Sequence, residues 1–208
     1  MLHPMRAAQE IQQVASGLFI WQLYDPTVKA DLFATGLATP AGIYLIDPVP
    51  LEPEALVELE LRGKMAGIIV TNANHVRSTG DFSRRFALSI HAHQAVKEAL
   101  DFPKIAALRD GEVFSSGLTA IAIEGGPAGE MALHYDADGG TMVVGDALIN
   151  FEPYGFALLP AKYCSDSKLM HRSLEKLLAY PFERMLFAHG TPILSAARRR
   201  TEELLANS

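Results

Sequence analysis

Residues 71–80 read T-N-A-N-H-V-R-S-T-G and follow the apolar run Gly67-Ile68-Ile69-Val70. A short apolar run that ends in polar residues has the pattern of a core strand delivering a loop at its carboxyl end. The loop carries two amides (Asn72, Asn74), an imidazole (His75) and a guanidinium (Arg77), a concentration of polar chemistry where a strand meets solvent.

Taken from Thr71 to Gly80 without a gap, the decamer resembles the metal-binding signature of the metallo-β-lactamase superfamily, T-H-x-H-x-D-H-x-G-G, with its ligands replaced. Asn72 and Asn74 stand at the first two histidine positions, Val76 at the aspartate and Arg77 at the last histidine. Four further stretches are similar to family motifs and occur in family order. Asp47-Pro48, after Gly42-Ile43-Tyr44-Leu45-Ile46, resembles L-I-D-x-G; the segment from Gly125 to Leu133 resembles G-H-T-P-G-x-x-x-L, with Gly126 at the histidine. Gly145-Asp146-Ala147-Leu148 matches G-D-A-L, and Ala188-His189-Gly190-Thr191-Pro192 is similar to G-H-G-x-P. The resemblance runs from about residue 15 to the end. It implies an α/β (α+β) fold, the αββα four-layer sandwich, as one domain over residues 1–208. It also implies a ligand-binding cleft at one end of the sheets, formed by Asn72, Asn74, His75, Arg77, Gly126, Asp146 and His189.

The ligand count argues against the family's two-metal chemistry. A catalytic zinc takes about three protein ligands plus water, and the matched positions retain two, Asp146 and His189. Asparagine offers only a neutral amide oxygen, and valine offers nothing. Arg77 is a permanent cation at a former ligand position, so the expectation is that its guanidinium replaces the metal and pairs with Asp146. His75 falls on a spacer position. In an extended segment it faces away from Asn74, which makes a surface or hydrogen-bonded histidine its default reading. His91-Ala92-His93 has ligand spacing but no Asp-His after it, and His3, His134 and His171 have no convergent carboxylate in sequence.

Two functions remain open. The first is a non-catalytic or cryptic protein whose cleft binds, without metal, a small anionic molecule or a protein partner. The alternative is a hydrolase of esters, thioesters or lactones that uses one remodelled divalent metal (Zn, Mn or Fe) held by Asp146 and His189. No cofactor is expected in the first case. A net charge of −6 over 208 residues disfavours nucleic acid and acidic membranes as partners, and a homo-oligomer is compatible with either reading. The lone Cys164 cannot form an internal disulfide, and residues 1–13 lack an apolar signal core, so a cytoplasmic location is expected. Serine-hydrolase, P-loop and dinucleotide motifs are absent from the sequence.

Strand-like runs are expected at 18–23, 42–46, 68–71, 88–91, 118–123, 131–135, 141–144 and 185–188. Helices are expected to begin at Pro53 (stopped by Gly63) and near Thr79, Gln94, Ser167 and Ser195. Asp136 to Gly140 reads as a hairpin loop.

Overall fold

A computed structural model describes residues 7–99, 105–115 and 117–208. His3 lies outside the described residues. The first sheet runs in spatial order through β1 (Gln12–Ala15), β2 (Leu18–Asp25), β3 (Ala30–Thr39), β4 (Gly42–Ile46), β5 (Met65–Val70), β6 (Ile90–His93) and β7 (Ile105–Leu108). Strands β1 to β4 form an antiparallel meander, and β4 to β7 are parallel. The second sheet contains β8 (Val113–Phe114), β9 (Leu118–Ala122), β10 (Met131–Tyr135) and β11 (Thr141–Val144). Beyond the two-stranded ribbon of β12 (Leu148–Phe151) and β13 (Gly155–Leu158), β14 (Arg184–Phe187) adds parallel to β11.

The period of two along each strand sorts the side chains into layers. Tyr44, Ile46 and Ile69 from the first sheet meet Met131, Leu133, Val143 and Leu186 from the second. The alternate residues face outward on both sides. Ile43, Leu45, Ile68 and Val70 pack under α1 (Pro53–Arg62), α2 (Thr79–Phe86) and α3 (Gln94–Ala99) through Leu59, Phe82 and Val96. Ala132, Met142, Val144 and Met185 pack under α4 (Ser167–Leu174) and α5 (Ala197–Ala206) through Met170, Leu174 and Leu205. Strands covered on both faces have no solvent side, which is why Gly-Ile-Ile-Val and Met-Val-Val are unbroken apolar runs. The result is the expected αββα order of layers.

Local signals set the helix ends. Pro53 occupies the first turn of α1 and Arg62 its last turn, with Gly63 following. Asp166 caps α4, its carboxylate accepting from the backbone N–H of Lys168 and Leu169 at 3.0 Å each. Trp21 is core, with its indole N–H on the Val49 carbonyl (2.9 Å), and Tyr24 is exposed. His91 packs against Tyr44 and Phe114, His134 and His171 bond carbonyls of Pro181 and Leu205, and among the described residues neither His91 nor His93 joins a cluster of three potential metal ligands. Among the described residues, no helix is long and apolar enough to cross a membrane.

Leu133 is fully buried between the sheets, so Leu133→Ala is expected to cost about 2–5 kcal/mol through lost burial and a residual cavity. Leu61, 82% exposed on α1, provides the contrast, and Leu61→Ala should change stability by under about 0.5 kcal/mol. Equilibrium unfolding in denaturant checks both.

Candidate metal centre

Strand register brings the site together. In the parallel pair β11–β14, Val144 lies opposite Phe187, so the residues two positions past each strand end, Asp146 and His189, arrive side by side. The carboxyl ends of β4 and β5 deliver Asp47 and Thr71 in the same way, consistent with ligand sites lying beyond the carboxyl ends of parallel strands. Asp47 adopts a left-handed backbone (φ 49°). That turn lets its carboxylate accept from both the Thr71 N–H (2.8 Å) and the Thr71 hydroxyl.

After Thr71 the chain does not stay extended. Residues Ala73–His75 form a 3-10 turn, capped by the Asn72 side chain, which accepts from the Asn74 N–H at 2.9 Å. The turn reverses the expectation from sequence for this segment. His75 points inward and is 2% exposed, whereas Asn74 contributes its backbone N–H and leaves its residue exposed. His75 Nδ1 faces Asp47 Oδ2 (3.0 Å) and the Thr71 oxygen (2.9 Å). With the Thr71 hydroxyl donating to Asp47, both atoms facing Nδ1 are acceptors, so Nδ1 carries the proton. His75 Nε2 then faces Asp146 Oδ1 at 3.1 Å, in an orientation that completes no hydrogen bond.

His189 repeats this arrangement from the other sheet. Its Nδ1 lies 3.1 Å from the Asp31 carbonyl, which only accepts, so Nδ1 donates and the Nε2 lone pair faces Asp146 Oδ1 at 3.3 Å. The ligand atoms of His75, Asp146 and His189 all lie within 4.8 Å of one another. The other Asp146 oxygen accepts from Asn72 Nδ2 at 3.1 Å, and the same amide donates to Glu130 Oε2 at 2.7 Å.

Arg77 does not replace the metal at Asp146. Its guanidinium donates to the backbone carbonyls of Phe33 (2.6 Å), Asp47 (3.1 Å) and Ala188 (3.4 Å), and its backbone is left-handed (φ 39°). No Arg77 ion pair occurs among the described residues within 4.0 Å. Three convergent carbonyls occupy donors of the guanidinium fork. Gly126 is buried beside this cluster, and a Cβ there would come within 3.1–3.2 Å of Glu130 Cγ and Cβ. The structure therefore gathers Asn72, His75, Asp146, His189, Gly126 and the Arg77 guanidinium at one end of the sheets, and leaves out the Asn74 side chain. Sequence reasoning missed Asp47 and Glu130 as site residues. The available signal for Glu130 was a lone carboxylate at the entrance to the apolar strand Met131-Ala132-Leu133.

Charge in this pocket is tightly matched. Burial and Arg77 oppose protonation of His75, but Asp146 and Asp47 outweigh them and raise its pKa to about 9. Asp146 resists the upward push of burial because His75, His189 and Arg77 surround it, and its pKa falls well below the usual carboxylate range. Burial, then the charge of Asp146, raises Glu130 to about 8. Burial lowers His189 to about 4, which keeps it neutral.

These directions fix a pH dependence for the metal-free chain. A histidine raised from 6.5 to about 9 contributes its full stability below about pH 6.5 and loses it as pH climbs through 9. Glu130, raised from 4.5 to about 8, has the same sign: its protonated form suits the fold, and that advantage fades as pH rises to about 8. In the presence of chelator, unfolding free energy should fall between about pH 6.5 and 9, by up to about 1.4 kcal/mol per pH unit for each proton. A flat denaturation profile across that window would reject the His75–Asp146 pairing. A double-mutant cycle should also couple His75 to Asp146 more strongly than Arg77 to Asp146.

Residues 12–208 match the family described as the metallo-beta-lactamase superfamily. No curated protein matches the sequence significantly. Among solved structures, the chain is similar to the DIM-1 metallo-beta-lactamase exposed to ceftazidime, with a TM-score of 0.75 at 13% identity, covering 99% of both chains. It is also similar to a metallo-beta-lactamase from Pontibacter korlensis, with a TM-score of 0.72 at 14% identity, covering 96% of this chain and 99% of that one. A metallo-beta-lactamase family protein from Thermus thermophilus gives 0.66 at 20% identity, covering 94% of this chain and 80% of that one. Identities this low speak for the fold alone, while the family match spans nearly the whole sequence. With two layered sheets, outer helices and the motif order all in agreement, the chain belongs to the metallo-beta-lactamase superfamily.

Proposed function

We propose that this protein is a hydrolase that uses one divalent metal, held by His75, Asp146 and His189, and acts on an ester, thioester or lactone. One observation carries the reading: two imidazole Nε2 atoms, each with its Nδ1 proton committed elsewhere, converge on a single carboxylate oxygen at 3.1 and 3.3 Å. A bare nitrogen facing a carboxylate oxygen is repulsive unless a proton or a cation lies between them. Metal–ligand bonds of about 2.0–2.1 Å in a tetrahedron give ligand separations of about 3.3–3.4 Å, close to the two measured here. Two histidines and one carboxylate are a sufficient donor set, and His75 Nε2 is a buried polar atom with no hydrogen-bond partner.

When bound, such a metal supplies Lewis acidity toward a carbonyl and lowers the pKa of a water. The protein's own contribution is orientation. Asp47 and the Asp31 carbonyl set the two histidine tautomers, as outer-shell acceptors do for metal-ligating imidazoles. The Asn72 amide engages one Asp146 oxygen and leaves the other to the histidines. His189 is the more exposed of the two imidazoles, so substrate approaches from its side.

The metal-free binding protein is the second reading, favoured by charge balance. With His75 protonated, the cations His75 and Arg77 offset Asp47 and Asp146 without any ion. Its small anionic ligand would have to compete for a guanidinium already occupied by three carbonyls.

Elemental analysis of protein purified without chelator is expected to find close to one metal per chain. In thermal unfolding, zinc, manganese or iron at about 100 times its dissociation constant should add about 2.7 kcal/mol of stability. Asp146→Ala and His189→Ala should abolish that gain, whereas Asn74→Ala, at an exposed position, should keep it. Ester, thioester and lactone turnover should then follow metal loading. Absence of metal together with no metal-dependent stabilisation would leave the second reading.

A further inference from the structure

Glu130 lies beside Asn72 and Gly126, two positions at which the resemblance loses a histidine. It is 2% exposed, and both of its carboxylate oxygens are engaged. Oε1 accepts from the Ala147 N–H at 2.8 Å, and Oε2 accepts from Asn72 Nδ2 at 2.7 Å. Two glycines make room for it. A Cβ at Gly145 would lie 2.7 and 2.9 Å from the two Glu130 oxygens, and a Cβ at Gly126 would meet its side-chain carbons at 3.1–3.2 Å. Gly126, where the sequence pattern loses a histidine, is therefore part of the cradle for a different residue.

The Asn72 amide has only one orientation in this setting. Its Nδ2 faces two carboxylates, Glu130 and Asp146, and its Oδ1 faces the Asn74 N–H. Whether Glu130 is ionised or protonated, turning the amide over would set an oxygen against the Asp146 carboxylate and an NH2 against the Asn74 N–H. We infer that Glu130 is a positioning residue: through Asn72 it directs an N–H to Asp146 Oδ2, so that Oδ1 is presented to His75 and His189. The part of this inference that concerns metal rests on the single-metal reading above; the part that concerns the amide does not. A side chain at position 126 would crowd Glu130.

The test uses the full chain as wild type, Glu130→Gln and Asn72→Thr. Glutamine keeps the volume but sets an NH2 against either the Asn72 amide or the Ala147 N–H; threonine can donate to only one of the two carboxylates. Without metal, the assigned Asn72 side-chain amide in nitrogen-15 NMR is expected to exchange slowly in wild type and markedly faster in Glu130→Gln. With cobalt(II), chelator competition should show affinity about 10–100-fold weaker in both variants, with an altered visible spectrum. If wild type binds no cobalt, the single-metal reading fails and the exchange rates still decide whether Glu130 holds the amide. If wild type binds cobalt and Glu130→Gln binds it with unchanged affinity and spectrum, the positioning role is overturned while the metal reading stands. Should Glu130→Gln fail to fold, Asn72→Thr decides: unchanged cobalt affinity and spectrum overturn the inference.

Discussion

A carboxylate buried at the meeting point of two sheets needs partners, because an uncompensated charge there costs several kcal/mol. Asp146 is that carboxylate, and much of the local architecture serves it. His75 and Asn72 both come from the loop after β5, where Asn72 caps the 3-10 turn that His75 ends, and His189 comes from the loop after β14. None of these groups is adjacent in sequence to Asp146. Their convergence is a consequence of parallel register in both sheets, and a slip of one residue in either pair would face the wrong side chains inward.

The superfamily fold is present here, while the decamer departs from the metal-binding signature it resembles. Histidines are absent from the ligand positions of the decamer, and a histidine one residue away takes up the inward direction. A 3-10 turn advances about 120° per residue, so the shift from Asn74 to His75 selects a different face of the turn without moving the backbone ends. Arg77 has changed roles more completely. In place of a metal ligand, it ties together carbonyls of the first sheet (Phe33, Asp47) and the second (Ala188).

The strands written as short apolar runs and the helices with terminal punctuation were legible in the sequence. The bounds of β4, β10 and β11 follow from their apolar runs, and α1 from its proline and glycine. Strand β3 was not legible, because Ala30–Thr39 mixes Gly36, alanines and threonines that carry no sharp alternation. It becomes a strand by pairing with β2 from Leu18↔Leu37 to Asp25↔Ala30, a tertiary fact. Helix α5 begins two residues later than its serine suggested, since Ala196 adopts a left-handed backbone. At the site, Asp146 and His189 were readable from intact motifs. The direction of His75 depended on a local turn, and the Arg77–Asp146 pair failed because proximity in a motif does not specify what lies nearest in space. Glu130 stood on a spacer position, where the pattern assigns no role.

Backbone hydrogen bonds also cross between the two sheets at this end of the molecule. The Phe33 N–H reaches the Ala188 carbonyl at 2.9 Å, and the Met131 N–H reaches the Thr71 carbonyl at 2.8 Å. Together with Arg77, they clasp the sandwich at the edge where the site is built. Fluctuations that part the two layers must break polar bonds here, whereas in the interior they loosen apolar contact. The donor atoms around Asp146 are then held at short separations by the scaffold itself, so the single ion proposed above would meet them already gathered, with little ordering entropy left to lose.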